Sequence, residues 1–335
     1  MLRSMYSGIS GLKAQQSKLD VVGNNIANAT TTSFKSQSMR FQDSLSQSMT
    51  QASGPSANIG GTNPRQVGLG VQVAGIYTKT SVGNMQTTSR NLDAAIDGPG
   101  YFMVGRGPAS DDAKITITDH KMTDNDKMDV SFTRDGSFTL DSKGNLLTSD
   151  GLRVLGYQNT NAGITYKSMA ADEAKKQHVI ANPEDKETKF DTNLQPLIIP
   201  DSVGEGDKAI RIQSFSIGKD GVITASLANG KTADIGQIGM ASFKNDGGLT
   251  KMGKNLYQTS ANSGEPIVRS EHGADAANDN SKGYGDMLQG MIEMSNVDLA
   301  EEFTEMIVAS RAFQASGKMI TTGDEILQEL VNLKR

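Results

Sequence analysis

The side chains best suited to bind a metal or move a proton near neutrality are three histidines, His120, His178 and His272. A zinc site needs His or Cys ligands close enough in the chain to converge on one ion. None of the three has such a neighbour, and each lies in a polar, loop-like stretch, so they read as surface histidines. Asp124, Asp126 and Asp129 resemble the opening of a calcium loop. They lack the glycine at its sixth position and the glutamate at its twelfth, so a solvated acidic loop is expected. Gly98-Pro99-Gly100 and Gly283-Tyr284-Gly285 are glycine-rich, but no Lys-Ser or Lys-Thr follows to hold a phosphate. Asp93 and Asp97 stand beside Gly98, with no pattern that places them in a cleft. Glu301-Glu302 suits the positive end of a helix dipole better than acid catalysis. A Gly-x-Ser-x-Gly nucleophile elbow is absent. Cysteine is absent too, which excludes disulfides, thiolate metal sites and cysteine nucleophiles. The residues point to no enzyme, no cofactor, no metal and no small-molecule substrate.

The elements that would position such groups are modest. The 335 residues are 36% hydrophobic and 5% aromatic, without tryptophan and with 36 glycines. That mix favours many turns and short strands over one large core. The net charge of −5 is mild and the basic residues are dispersed, which argues against a nucleic-acid partner. No run approaches the ~20 apolar residues of a spanning helix. The first residues lack the apolar stretch and cleavage site of a secretory signal. An exported chain of this kind is expected to leave without a cleaved leader, and the missing cysteines suit a chain that travels unfolded.

The expected fold is mainly β with helical termini, built from discontinuous domains. Leu2, Met5, Ile9, Leu12, Leu19 and Ile26 follow alternating steps of three and four, broken at Gln16 and Gly23. Leu299, Phe303, Met306, Phe313, Ile320 and Leu327 do the same near the other end, broken at Ser310, Gly317 and Asp324. Asn296 or Asp298 is the expected N-cap of that last helix. The two seams are narrow and interrupted, so a coiled-coil-like pair built on them alone would be weak. These twelve apolar residues are therefore expected to pack against the ends of other copies. Residues 1–28 and 286–335 form the terminal helical domain in this reading. Residues 29–72 are an extended or irregular polar connecting segment with one short helix. Residues 73–157 and 213–285 form an antiparallel β domain, and 158–212 an inserted outer domain with strands near Leu197–Ile199 and Ile210–Ile212. Asp135-Gly136, between Phe132 and Phe138, predicts a type I′ hairpin. Further hairpins are expected at Lys143-Gly144-Asn145, Asp150-Gly151, Asp220-Gly221 and Asn229-Gly230.

Ser4-Met-Tyr-Ser-Gly-Ile-Ser-Gly-Leu12 and Leu19-Asp-Val-Val-Gly-Asn-Asn-Ile-Ala-Asn28 resemble the N-terminal signature of the bacterial flagellar rod and hook axial proteins. Ser295-Asn-Val-Asp-Leu-Ala-Glu-Glu-Phe303 and Ile320–Lys334 resemble its C-terminal signature. Asn91-Leu-Asp-Ala-Ala-Ile-Asp-Gly98, Gly236-Gln-Ile-Gly239 and Asn255-Leu-Tyr257 are similar to its middle. Only about 158–212 falls outside the resemblance.

The likeness implies a structural subunit that polymerises with itself into a helical tube around an export channel. Terminal helices would form the inner wall, with the β domains outside them. The insertion and the last residues favour the hook, a curved universal joint carrying torque from motor and rod to filament. The alternative is the distal rod, a straight drive shaft. The implied partners are other copies of the chain, the distal rod protein, the hook–filament junction protein, the hook cap and the flagellar type III export apparatus. The implied location is extracellular, in the hook and basal body. The residues by themselves also leave room for a secreted β-rich adhesin on a helical stalk.

Overall fold

The computed structural model describes residues 2–55, 60–107, 114–118, 121–122, 128–159, 190–191, 193–200, 202–203, 210–269 and 285–333. The fold is mainly β, with one long helix at each end: α1, Leu2–Ala27, and α2, Leu299–Leu333. The chain divides into two units, residues 1–81 with 296–335, and residues 82–295.

In the first unit, α1 and α2 pack on each other, and α1 packs on a β ribbon. The ribbon has four strands: β1 (Gln37–Asp43), β2 (Ser46–Thr50), β3 (Arg65–Gly68) and β4 (Val71–Thr78). β1 pairs antiparallel with β4, and β2 with β3. Bonds from Ser44 N to Gly70 O (2.9 Å) and Leu69 N to Leu45 O (2.8 Å) join the two ladders. The described part of the stretch 29–72 is thus extended chain paired into a ribbon from Gln37 on, without the expected short helix. The signal was a period of two: Met39 and Phe41 are half-buried or partly covered, alternating with exposed Arg40 and Gln42. Polar composition masked it, because a two-stranded ribbon buries little on either face. Gly70 has a φ of +126°, and a Cβ there would lie 2.1 Å from Ser10 Oγ. Only glycine lets the ribbon approach α1 so closely.

The second unit is built on an antiparallel sheet. Its central path runs Ser202–Val203, Ile210–Ile217, Val222–Leu227, Thr232–Ile238, Arg153–Gln158, Tyr101–Arg106, Asp129–Thr133, Leu256–Gln258, Thr250–Gly253. Three earlier strands can be labelled in chain order: β5 (Met85–Thr87), β6 (Ala94–Asp97) and β7 (Tyr101–Arg106). β7 is buried on both faces. Phe102 and Val104 join one hydrophobic cluster, and Tyr101 and Met103 the other. Alternation along one strand therefore serves two cores. Edge-to-face rings fill both: Phe102 on Phe138 at 5.1 Å, Tyr101 on Tyr257 at 5.6 Å, Phe132 on Phe243 at 4.9 Å.

Several expectations need correction. The unit boundaries fall at Ser81/Val82 and Ser295/Asn296, because β4 runs unbroken through residue 73 and two further strands precede α2. Those strands, Asp286–Gln289 and Met291–Glu293, pair with β6 and β5. Leu194, Leu197 and Ile199 are buried in the clusters that hold β7, so residues 193–199 belong to the main core rather than to an outer insertion. Residues 160–189, the bulk of the expected outer domain, lie outside the described residues. Asp135-Gly136 is no hairpin. Asp129–Thr133 pairs with β7 and Leu256–Gln258, whereas Phe138–Leu140 pairs with Leu146–Thr148. Gly136 is needed for close approach instead, since a Cβ there would sit 1.6 Å from the Ala94 carbonyl oxygen. The turns at Gly144, Gly151, Gly221 and Gly230 do form, each with a glycine φ between +77° and +80°.

One buried ion pair ties this unit together. Arg134 Nε lies 3.2 Å from Glu293 Oε2, with side chains 3% and 0% exposed. Arg134 Nη2 also donates to the carbonyls of Ile96 and Gly98, and the guanidinium lies over the Tyr101 ring at 5.6 Å. Glu293 Oε1 accepts from Gly83 N at 2.9 Å. Four chain segments thus meet at two side chains. Replacing Arg134 by Met leaves Glu293 buried without its cation, and we expect a loss of about 3–5 kcal/mol in urea unfolding.

Candidate assembly surface

Among the described residues, the groups that could do chemistry do not converge. Asp93 is buried, accepts from the Thr88 hydroxyl at 2.7 Å and faces Arg90 at 3.5 Å. Asp97 is exposed at the end of β6, in register with Asp286. His120, His178, His272, Asp124 and Asp126 lie outside the described residues, and Asp129 is an exposed strand residue. Described His, Asp and Glu residues form no group of three able to hold a metal. Burial pushes the Tyr257 hydroxyl up to about 12 and raises that of Tyr101 as well, as expected of aromatic core residues. Met287 is a core residue, Met291, Met294 and Met306 are half-buried, and Met319 is exposed.

The surface that stands out belongs to the terminal helices. α1 ends in the Asn-rich run, with Asn28 N donating to Asn24 O and Asn25 O, each at 3.2 Å. α2 is capped by Asp298, whose Oδ1 accepts from Ala300 N (2.9 Å) and Glu301 N (3.4 Å). Asn296, the other cap candidate, is a clasp. Its Oδ1 accepts from Ser36 N at 2.8 Å, and its Nδ2 donates to Lys79 O at 2.9 Å and Ser81 O at 3.1 Å. Asn25 does the same one layer deeper. Its Oδ1 accepts from Gln37 N (3.0 Å), and its Nδ2 donates to Gln37 O (2.7 Å) and Glu302 Oε1 (2.9 Å). One buried amide therefore joins α1, β1 and α2. Sequence reasoning singled out neither role, because both depend on residues far apart in the chain.

The two helices pair within the chain, along a line shifted from the predicted one. Glu302, Met306, Ala309, Ser316, Ile320, Gly323 and Leu327 are buried or half-buried, with steps of three, four and seven. Gly8 faces Ile320, Gly11 faces Ser316, and Gly323 faces Met5; a Cβ on each would lie 3.2–3.3 Å from its neighbour. Small residues let the backbones come close at these three positions, whereas a Cβ at Gly23 or Gly317, the glycines that interrupt the predicted seams, would meet nothing within 4 Å. Met5, Leu12, Leu19 and Ile26 are half-buried, as are Met306, Ile320 and Leu327. Ile9, Leu299, Phe303 and Phe313 are exposed. Leu2 opens α1, and its side chain lies outside the described set. Ala14 and Val22, both buried, were missed because they lie off the predicted stripe.

After pairing, α2 still shows large apolar groups to solvent. Leu299, Phe303 and Ile307 occupy its first turns, and Val308, Met319, Ile326, Leu330 and Leu333 follow at helical spacing. Ile307 is 63% exposed and Leu333 81%. Leu45 and Met49 on the β ribbon are equally bare.

A β-rich chain whose two terminal helices pair with each other and leave apolar faces bare fits the class of a structural subunit. Three family models match the chain: "Flagella basal body rod protein" over 5–35, "Flagellar hook protein FlgE/F/G D1 domain" over 121–225, and "Flagellar basal body rod FlgEFG protein C-terminal" over 288–333. The flagellar basal-body rod protein FlgG of Bacillus subtilis is 44% identical over 335 residues, covering 100% of both chains. The flagellar hook protein FlgE of Borreliella burgdorferi is 31% identical, again covering 100% of both. FlgG of Buchnera aphidicola subsp. Schizaphis graminum is 31% identical over 99% of this chain and 100% of its own. The chain belongs to the flagellar rod and hook axial protein family, and it is a structural component of the bacterial flagellar hook or basal body.

The Asn25 clasp is testable. Asn25→Ala should lower the stability of the terminal unit by about 2–3 kcal/mol, since the Gln37 backbone and Glu302 lose their partners. Differential scanning calorimetry should show this loss with the transition of residues 82–295 unmoved.

Proposed function

We propose that this chain is the subunit of the flagellar hook, self-assembling into a curved tube that carries torque from motor and rod to filament. The observation behind this reading is the bare apolar side of α2. A contiguous apolar face that remains after intrachain pairing marks an interaction surface. A second copy of the same helix pair is the cover with matching shape and length. In this reading Leu2, Met5, Ile9, Leu12, Leu19, Ile26, Leu299, Phe303, Met306, Phe313, Ile320 and Leu327 serve assembly. The half-buried members set the intrachain pair, and Ile9, Leu299, Phe303 and Phe313 reach neighbouring copies. The distal rod protein, the hook–filament junction protein, the hook cap and the type III export apparatus follow as partners.

A second reading, the straight distal rod, is supported by the rod name of the Bacillus subtilis relative, which matches along the full length of both chains. The hook name of the Borreliella burgdorferi relative supports the first.

Negative-stain microscopy of the purified, concentrated protein separates them. Curved tubes are expected for the hook and short straight tubes for the rod. Discrete particles of fixed size would overturn both. Phe313→Asp places a charge on the exposed helix face and should abolish sedimentable polymer, with unfolding of residues 82–295 unchanged. Tubes formed by that variant at wild-type concentration would reject the assignment of α2.

A further inference from the structure

Glu302 sits in the first turn of α2 and is only 6% exposed. Its Oε1 accepts from Asn25 Nδ2 at 2.9 Å, whereas its Oε2 is buried with no hydrogen-bond partner among the described residues. An ionised carboxylate can accept several hydrogen bonds, and leaving one oxygen buried and bare is costly. Of the nearby charges, Lys79 favours the ionised form, but it is shared with Glu301. Glu301 and Glu305 flank it on α2. Lys79, just after β4, pairs with Glu301 at 3.7 Å, and Lys18 of α1 pairs with Glu305 at 3.3 Å. On β1, Arg40 lies over the Tyr77 ring at 5.2 Å, and just before β1 the buried Lys35 donates to Ser81 O at 2.9 Å.

We propose that Glu302 is a proton-sensitive latch at the junction of α1, β1 and α2, taking a proton from water as the junction closes and returning it on opening. Protonation converts the orphan acceptor into a neutral hydroxyl and keeps Oε1 available to Asn25. Burial raises the affinity of Glu302 for this proton, and the like charges of Glu305 and Glu301 add to it. The Asn25 bond and Lys79 act in the opposite direction.

The sign follows from linkage. A carboxyl with a raised folded-state pKa binds more protons folded than unfolded, so stability falls as pH rises between the two values. The contribution is fully present below the ordinary carboxylate pKa and is lost as pH rises through the raised one. The junction is thus tightest in mild acid and looser at neutral pH. This inference is independent of whether the polymer is a hook or a rod.

Hydrogen exchange of the full chain, corrected for intrinsic rates, tests it at pH 5 and pH 8. Amides of residues 20–27 and 299–306 should lose protection at the higher pH in the wild type. Glu302→Gln, neutral at both pH values, should keep its pH 5 protection at pH 8. Glu329→Gln, an exposed carboxylate of α2 far from the junction, should behave as the wild type. Equal pH dependence in wild type and Glu302→Gln would overturn the proposal, as would a pH-independent wild type. If the free chain leaves these amides unprotected at every pH, the comparison is read on sedimented polymer in urea. There, the wild type should dissolve at lower urea at pH 8 than at pH 5, and Glu302→Gln at the same urea at both; any other pattern rejects the latch.

Discussion

The terminal unit depends on the satisfaction of buried polar groups where the chain's two ends meet. Asn25 carries both a donor and an acceptor, and it spends them on the backbone of Gln37 and the carboxylate of Glu302. Asn296 mirrors it with Ser36, Lys79 and Ser81. An amide side chain can bridge a helix end, a strand start and a second helix because it donates and accepts at once. Apolar side chains in the same places would leave several backbone groups without partners. These two amides therefore determine where α1 ends, where β1 begins and where α2 is anchored.

With the junction set, close packing carries on along the helices. Gly8, Gly11 and Gly323 bring the backbones near enough for Met5, Ser316 and Ile320 to fill the gap. A narrow contact of this kind covers one side of each helix and leaves the other bare. The bare side of α2 carries Phe303, Ile307, Met319 and Leu330, and an exposed apolar face of this size is the usual mark of an interaction surface. The same sequence thus serves two surfaces, a tight one made of small residues and an open one made of large residues. That division suits a family whose members build the hook and rod of the flagellum.

The body at residues 82–295 follows a different rule. Its central strand, β7, is buried on both faces, so the sheet is clad on both sides by aromatic and aliphatic side chains. The Arg134–Glu293 pair then pins strand ends that backbone hydrogen bonding alone would leave loose. A buried ion pair adds little net stability compared with apolar substitutes, but breaking it on one side is costly, so it specifies one arrangement.

Sequence alone was enough for several features. The helical ends followed from three-and-four spacing, the β-rich middle from Gly-containing turns, and the family from motifs at Ser4–Asn28 and Ser295–Phe303. These are local signals, because turn geometry and helix periodicity are written in consecutive residues. Tertiary structure decided the rest. It turned most of the polar stretch 29–72 into paired strands, since the partners of β1 lie 28 to 41 residues downstream in β4. It drew Leu194–Ile199 into the main core, split the Asp135-Gly136 motif between two strand pairs, and made Glu302 and Ala309 buried contacts while Leu299 and Phe303 stayed exposed. In each case the outcome turned on which distant backbone came close enough to pair or to bury a side chain. Residue spacing within a single segment carries no record of that.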